Sequence, residues 1–188
     1  SSMWILSTVG IILSLLVLII VRNGPEKNSK PQITTNPWVD MLKSLRKASK
    51  SFEMWKIALV AATMSGPMLT LGGLWGTPYL MSAYNLGRSD AAFLTSFLLF
   101  GWAFAAPCFG WFSDFLGRRK PILIGGSAVL SLTLGLMILI PSIKLYLTLV
   151  LFTLIGASGS VMVSAFALVK EVTSKEAQGS AIGIVNSM

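Results

Sequence analysis

Five apolar runs constrain this chain more than any other feature. They cover residues 3–21, 57–84, 91–112, 122–140 and 145–169, and each is long enough to cross a bilayer as a helix of about 20 residues. In lipid a spanning segment must satisfy its own backbone N–H and C=O groups, so runs of this length and composition fold as helices. The expected fold is therefore all-α, a polytopic transmembrane helical bundle. A sixth run begins at Gly179 and is only partly present at Met188, giving five complete spans and part of another. Charged residues make up 12% of the chain against about 25% in soluble domains, which agrees with a protein built for lipid.

The placement of charge orients the bundle. Of the 15 Lys and Arg, eight lie from Arg22 to Lys56, three at Arg118 to Lys120, and two at Lys170 and Lys175. Those thirteen fall in every second connection, leaving Arg88 and Lys144 for the other face. This is the positive-inside pattern, and it explains the net charge of +8 without a nucleic-acid partner. Residues 22–56, 113–120 and 170–177 are expected to be cytoplasmic, and 85–90 and 141–144 external. Cys108 lies within an apolar run and reads as a packing residue, with no disulfide framework possible from one cysteine. With no histidine, and no Cys and acidic residues at ligand spacing, neither a metal site, a cofactor nor a His-based triad is expected, and the chain does not read as an enzyme.

Between the third and fourth runs stands Gly110-Trp-Phe-Ser-Asp114-Phe-Leu-Gly117-Arg118-Arg119-Lys120-Pro121, a charged turn that must reverse the chain at one membrane face. The spacing of Gly110, Asp114, Gly117, Arg118 and Arg119 resembles the signature loop of the major facilitator superfamily of secondary transporters. A generic positive-inside loop is the plainer alternative, but it needs neither the Asp nor both glycines at these offsets. Phe115 departs from the family pattern, which usually has a cation there. The resemblance implies a conformational latch. Asp114 would meet a helix start in the N-terminal half of the transporter, and Arg118 would pair with Glu171 at the end of the fifth run.

Taken in order, residues 1–21 form the first transmembrane helix, with a signal peptide as a weaker reading because no basic start or cleavage site accompanies it. The opening Ser-Ser-Met is not expected to be a natural start. Residues 22–56 form a basic linker. Within it, Asn36-Pro37 reads as an N-cap followed by a proline in the first turn, opening an amphipathic helix through Trp38, Met41, Leu45, Ala48 and Phe52. That helix suits an anionic leaflet, and a solvated linker is its alternative. By the resemblance, this linker joins the two halves of a twelve-helix transporter. The chain would then run from the sixth helix to the start of the eleventh, with residues 57–188 a truncated C-terminal half.

The second run contains Gly66-Pro67, Gly72-Gly73 and Gly76-Thr77-Pro78, and is expected to depart from a straight helix near Gly72, Gly73 or Pro78. Interrupted spans of this kind point to a transporter's binding site. Trp75 and Tyr79, one turn apart, are candidates to line that cavity, or else to belong to an interfacial belt. Trp102, in the middle of the third run, and Ser160, on the four-residue stripe Gly156/Ser160/Ser164, are further cavity candidates. Gly101/Ala105 and Ala106/Gly110 form small-residue pairs that favour close helix packing. The sequences Gly73-Leu-Trp-Gly-Thr-Pro-Tyr79-Leu-Met and Phe166-Ala-Leu-Val-Lys-Glu171 are similar to the sugar-phosphate and organic-anion permease branch, and to related amino-acid transporters of intracellular bacteria.

No charged residue falls within these five runs, whereas intramembrane charges usually mark proton relays and charged-substrate sites. The expected activity is alternating-access transport of a small solute across an inner membrane, coupled to a proton or another ion. A neutral or zwitterionic solute, such as an amino acid, is favoured over a strongly anionic one. The expected partners are the solute, the bilayer and the N-terminal half of the same transporter. A membrane sensor built on the transporter fold and an inactive truncated fragment are the alternatives, with a membrane-embedded enzyme behind them.

Overall fold

In a computed structural model, residues 2–20, 37–140, 143–174 and 177–188 are described, and every element among them is helical. They divide into two units, Ser1–Pro37 and Trp38–Met188. Residues 22–36 of the basic linker, with its Asn36 cap, and Lys175 lie outside the described residues.

The first unit holds α1 (Ser2–Ile20), apolar on all sides, as a membrane span must be. Two of its hydroxyls bond within the helix: Thr8 donates to the Trp4 carbonyl at 2.8 Å and Ser14 to the Gly10 carbonyl at 2.9 Å, so neither turns its polar hydrogen to lipid.

The second unit contains α2 (Pro37–Ser49), α3 (Phe52–Thr70), a π-helical stretch (Leu71–Trp75), α4 (Gly76–Tyr84), α5 (Arg88–Thr95), α6 (Phe97–Leu116), α7 (Lys120–Leu139), α8 (Leu145–Ser160), α9 (Met162–Val172) and α10 (Gln178–Ser187). Counting α1, five helical segments among the described residues are long and apolar enough to cross a membrane: Met3–Ile20, Phe52–Tyr84, Arg88–Leu116, Lys120–Leu139 and Leu145–Val172. The second starts five residues before the apolar run that announced it. At 33 residues it is about 50 Å long at 1.5 Å per residue, so its charged first turns extend beyond a hydrocarbon core of roughly 30 Å. Glu53, Lys56, Arg88, Asp90, Asp114, Lys120, Lys170 and Glu171 all sit near the ends of these segments.

Three of the spans are interrupted. In the α3–α4 segment the Gly76 N–H reaches back five residues to the Leu71 carbonyl, which is the π pattern. Its cause lies on either side. Gly72 and Gly73 weaken the α-helix there, while Pro78 has no N–H and its ring crowds the Leu74 carbonyl. Between α5 and α6 the Ser96 hydroxyl donates to the Phe93 carbonyl, and between α8 and α9 the Ser160 hydroxyl donates to the Ala157 carbonyl at 2.6 Å. Serine hydroxyls that compete for helical carbonyls in this way bend the helix. The Val161 N–H, bonded to the Ser158 carbonyl at 3.2 Å, tightens the second of these turns.

Two buried clusters hold the unit together. One joins α3, α7, α9 and α10 through Met54, Ala61, Met64, Leu123, Val161 and Val185, and the other joins α4, α6, α7 and α8 through Leu80, Leu98, Leu130, Phe152 and Ile155. The closest helix approach is between α6 and α8. A Cβ on Gly101 would collide with the Thr153 carbonyl, and one on Gly156 with the Leu98 carbonyl. Gly110, the other small residue expected to pack, has open space around it. Cys108 also differs from its expected role and is exposed. The buried line on α6 advances four residues at a time from Gly101 through Ala105 and Phe109 to Ser113, so position 108 falls to one side of it.

Candidate functional site

The charged loop is built by two helix termini. Gly117 ends α6 in the left-handed conformation at φ 60°, with its N–H bonded to the Asp114 carbonyl at 3.2 Å. Glycine enters that region without a Cβ penalty, which is the local reason for its place here. Arg119 then precedes α7, and Pro121 occupies the first turn, where a missing N–H costs nothing.

Arg119 organises the site. Its Nη1 donates to the Asp114 carboxylate and, at 2.9 Å, to the Ser113 hydroxyl; its Nε donates to Glu171 at 3.1 Å. The guanidinium is 20% exposed, against 69% for Asp114 and 53% for Glu171. Asp114 and Glu171 both stand in the last turn of their helices, where the negative end of the dipole disfavours a carboxylate. One cation between them offsets both. Asp114 first, and then Glu171, hold the Arg119 pKa above the ordinary guanidinium value, so the cluster keeps its cation. The sequence placed the Glu171 contact on Arg118, and the structure places it on Arg119. Arg118 follows the left-handed Gly117 directly and is exposed, without an ion pair among the described residues. The carboxylate expected to reach a helix start elsewhere, Asp114, is engaged by the same guanidinium. Phe115, where the family usually has a cation, stacks on Trp111 with ring centroids 5.6 Å apart.

A second feature lies along the interrupted α3–α4 span. A groove of about 780 Å³ is bounded on one side by Pro67, Leu71, Trp75 and Tyr79 and on the other by Leu134 and Met137 of α7. Thr70, Tyr79 and Ser82 are the lining residues that carry hydroxyls. Tyr79 is held edge-on to Tyr84 and tilted against Phe152, each 6.4 Å away, while the Trp75 ring is largely exposed. Gly72 and Gly73 face a different, smaller groove of about 440 Å³ with Thr77, Pro78 and Arg88. Trp102 and Ser160 line neither groove: Trp102 is an exposed residue of α6, and Ser160 is fully buried at the α8–α9 turn. Ser164, one turn on, has a buried hydroxyl without a partner among the described residues.

The whole chain, residues 1–188, matches the family model described as Major Facilitator Superfamily. The chain belongs to that superfamily. It is thus a multi-pass membrane protein. Among curated relatives it is similar to a Thermus thermophilus protein named "Probable nitrate/nitrite antiporter NarK1", at 27% identity over 111 residues. That match takes in 59% of this chain and 24% of the relative, so the chain spans about a quarter of the relative's length. No solved structure matches significantly. For a member of the superfamily, the residues that sequence reasoning missed are Ser113, Leu134, Met137 and Arg88. Ser113 was legible as the end of the four-residue line from Gly101. The α7 wall of the larger groove had no signal beyond plain apolarity.

Proposed function

We propose that this chain is part of a secondary transporter that moves a small solute across an inner membrane by alternating access, with ion coupling. The observation that carries the reading is the groove along the π-interrupted span, with Trp75 and Tyr79 on its wall and no charged side chain among its lining residues. Glycine- and proline-interrupted spans of this kind supply substrate sites in transporters. Aromatic faces with the hydroxyls of Thr70, Tyr79 and Ser82 suit a neutral or zwitterionic solute such as an amino acid. The absence of charged residues from the five apolar runs supports the same class.

A second reading, oxyanion exchange, draws on the name of the Thermus relative and on Arg88 beside the smaller groove. Counterflow of radiolabelled amino acids and of labelled nitrate, in vesicles holding the complete transporter, separates the two. Exchange of neither solute favours a sensor on the same fold. In the amino-acid reading, Trp75→Ala with Tyr79→Ala weakens solute affinity at least tenfold, and unchanged affinity returns both residues to the lipid belt.

The cytoplasmic face is the one with 22–56, 113–120 and 170–177. Labelling of a cysteine placed at residue 47 from outside intact cells would overturn that orientation. The Arg119 cluster at this face acts as the latch: it ties the ends of α6 and α9 when the face is closed and releases when it opens.

A further inference from the structure

We propose that α2 and the first two turns of α3 form a docking collar for anionic phospholipid, clamped to the bundle through α10. The inference rests on the membrane-embedded fold and not on transport, so its test stands apart from counterflow. At 100° per residue five apolar positions of α2, Ala48, Met41, Leu45, Trp38 and Leu42, form one arc, while Arg46, Lys43 and Lys47, with Lys50 just past the helix end, form the arc beside it, where Val39 also falls. The bundle covers one edge of the apolar arc. Ala48 is buried in the core cluster with Met54 and Ile57, and the Ser44 hydroxyl shares a 2.6 Å hydrogen bond with that of Ser180 on α10. The other edge is bare, with Leu42 62% exposed.

The bare edge continues into the transmembrane surface. Phe52, Trp55 and Leu59 form an exposed stripe at helical spacing on α3, the membrane-crossing segment that follows. The corner between the helices is fixed. The Trp55 indole donates to the Ser49 carbonyl at 2.7 Å, satisfying one of the orphan carbonyls at the end of α2. Ser51 caps α3 by accepting from the Met54 N–H. An indole with its ring outward and its N–H on backbone is suited to the headgroup boundary.

Charge decides which lipid. Asp40 pairs with Lys43 and Glu53 with Lys56, while Arg46 and Lys50 have no ion pair among the described residues. A helix anchored on one edge by protein, bare and apolar on the next and basic on the third fits a leaflet carrying phosphate headgroups of net negative charge. A protein partner on the bare edge would need an acidic, apolar surface of its own, and would hide Leu42 from lipid.

The test places a nitroxide at residue 42 or 46 by Leu42→Cys or Arg46→Cys in a Cys108→Ala background, with the full chain in bilayer nanodiscs. The expected result is relaxation by dissolved oxygen above that by a water-soluble nickel chelate at 42, and the reverse at 46. Chelate access at 42 equal to that at 46 would overturn the collar, and so would exclusion of both relaxants from 42, which would mean a protein partner. The second arm is native mass spectrometry of the chain released from mixed phosphatidylcholine and phosphatidylglycerol. We expect phosphatidylglycerol to be retained at least threefold over its share, and that preference to vanish in K43Q/R46Q/K50Q with unaltered helix content. Retention without preference, or a preference that survives the three substitutions, would reject the assignment.

Discussion

The seam between α6 and α8 and the interrupted stretch of α3–α4 both depend on glycines, for opposite reasons. At the seam, Gly101 and Gly156 let each backbone approach the other's carbonyls, so that a single added methyl group has nowhere to go. Along the π-helical stretch, Gly72 and Gly73 have open space around them, and what they provide is a weak α-helix. One pair fixes a helix–helix distance and the other leaves a helix free to change its winding. The slack stretch ends on a tight anchor at Gly76, whose added Cβ would strike the Leu71 carbonyl and the methyl of Thr95 on α5.

Substitution at the seam gives the largest effect. Gly156→Ala places a methyl group against the Leu98 backbone, and overpacking of this kind costs about 3 kcal/mol where the neighbour is main chain and cannot rotate away. Unfolding in mixed micelles measures it. A loss below about 0.5 kcal/mol would mean that α6 and α8 separate freely, and the contrast with the π stretch would fail.

The same division between fixed and free separates the two ends of the spans. At the α4 terminus, the Tyr84 hydroxyl donates to the Ile143 carbonyl at 2.7 Å and shares a hydrogen bond with the buried Thr148 hydroxyl. Tyr84→Phe leaves Thr148 unpartnered in the core, which costs about 2 kcal/mol. Adding Thr148→Val recovers part of that loss, and failure to recover any would show that the hydroxyl pair is not what holds this end.

The opposite end is held by exposed ions. Arg119→Ala and Glu171→Ala should show a coupling of about 1 kcal/mol in a double-mutant cycle, since pairs this exposed to solvent contribute about 0–1 kcal/mol. Arg118→Ala stays within about 0.5 kcal/mol of the parent, as a surface change away from any contact. The small coupling is what a latch requires, because contacts that must break during a working cycle cannot dominate stability. Strict additivity of the Arg119 and Glu171 substitutions would remove the latch.

Much of this was legible in the sequence, for physical reasons that differ by element. Span number and helical class followed from apolar length, because lipid leaves the backbone no alternative. Gly117 announced a turn, and the charges around it announced a cluster, but the choice between Arg118 and Arg119 was not readable. It depends on where the chain points after the positive φ of Gly117. The breaks at Ser96 and Ser160 were missed because a serine within an apolar run has two outcomes, bonding back without consequence, as Ser14 does in α1, or bending the helix. The larger groove's α7 wall, Leu134 and Met137, was hidden because periodicity identifies a buried or lipid-facing helix without saying which neighbour it meets.

A small expected effect at the π-helical stretch most directly opposes the first. Gly73→Ala introduces the same methyl group as Gly156→Ala, into a helical segment, with no atom outside its own stretch of helix within 4 Å of the new Cβ. Replacing glycine by alanine in a helix interior lowers the entropy lost on folding and favours helix by about 0.5–1 kcal/mol. Stability should therefore rise slightly, where at the seam it falls. The gain need not preserve the π winding, because alanine strengthens the α-helix that competes with it. The amide of Gly76, bonded to Leu71 five residues back, reports which winding is present. An unchanged hydrogen-exchange rate at Gly76 means that Pro78 alone maintains the π stretch, and an altered rate means that the weak helix at Gly72 and Gly73 sets it. A loss of stability as large as that at Gly156 would show the stretch to be packed, and the contrast between a fixed seam and a slack span would have to be abandoned.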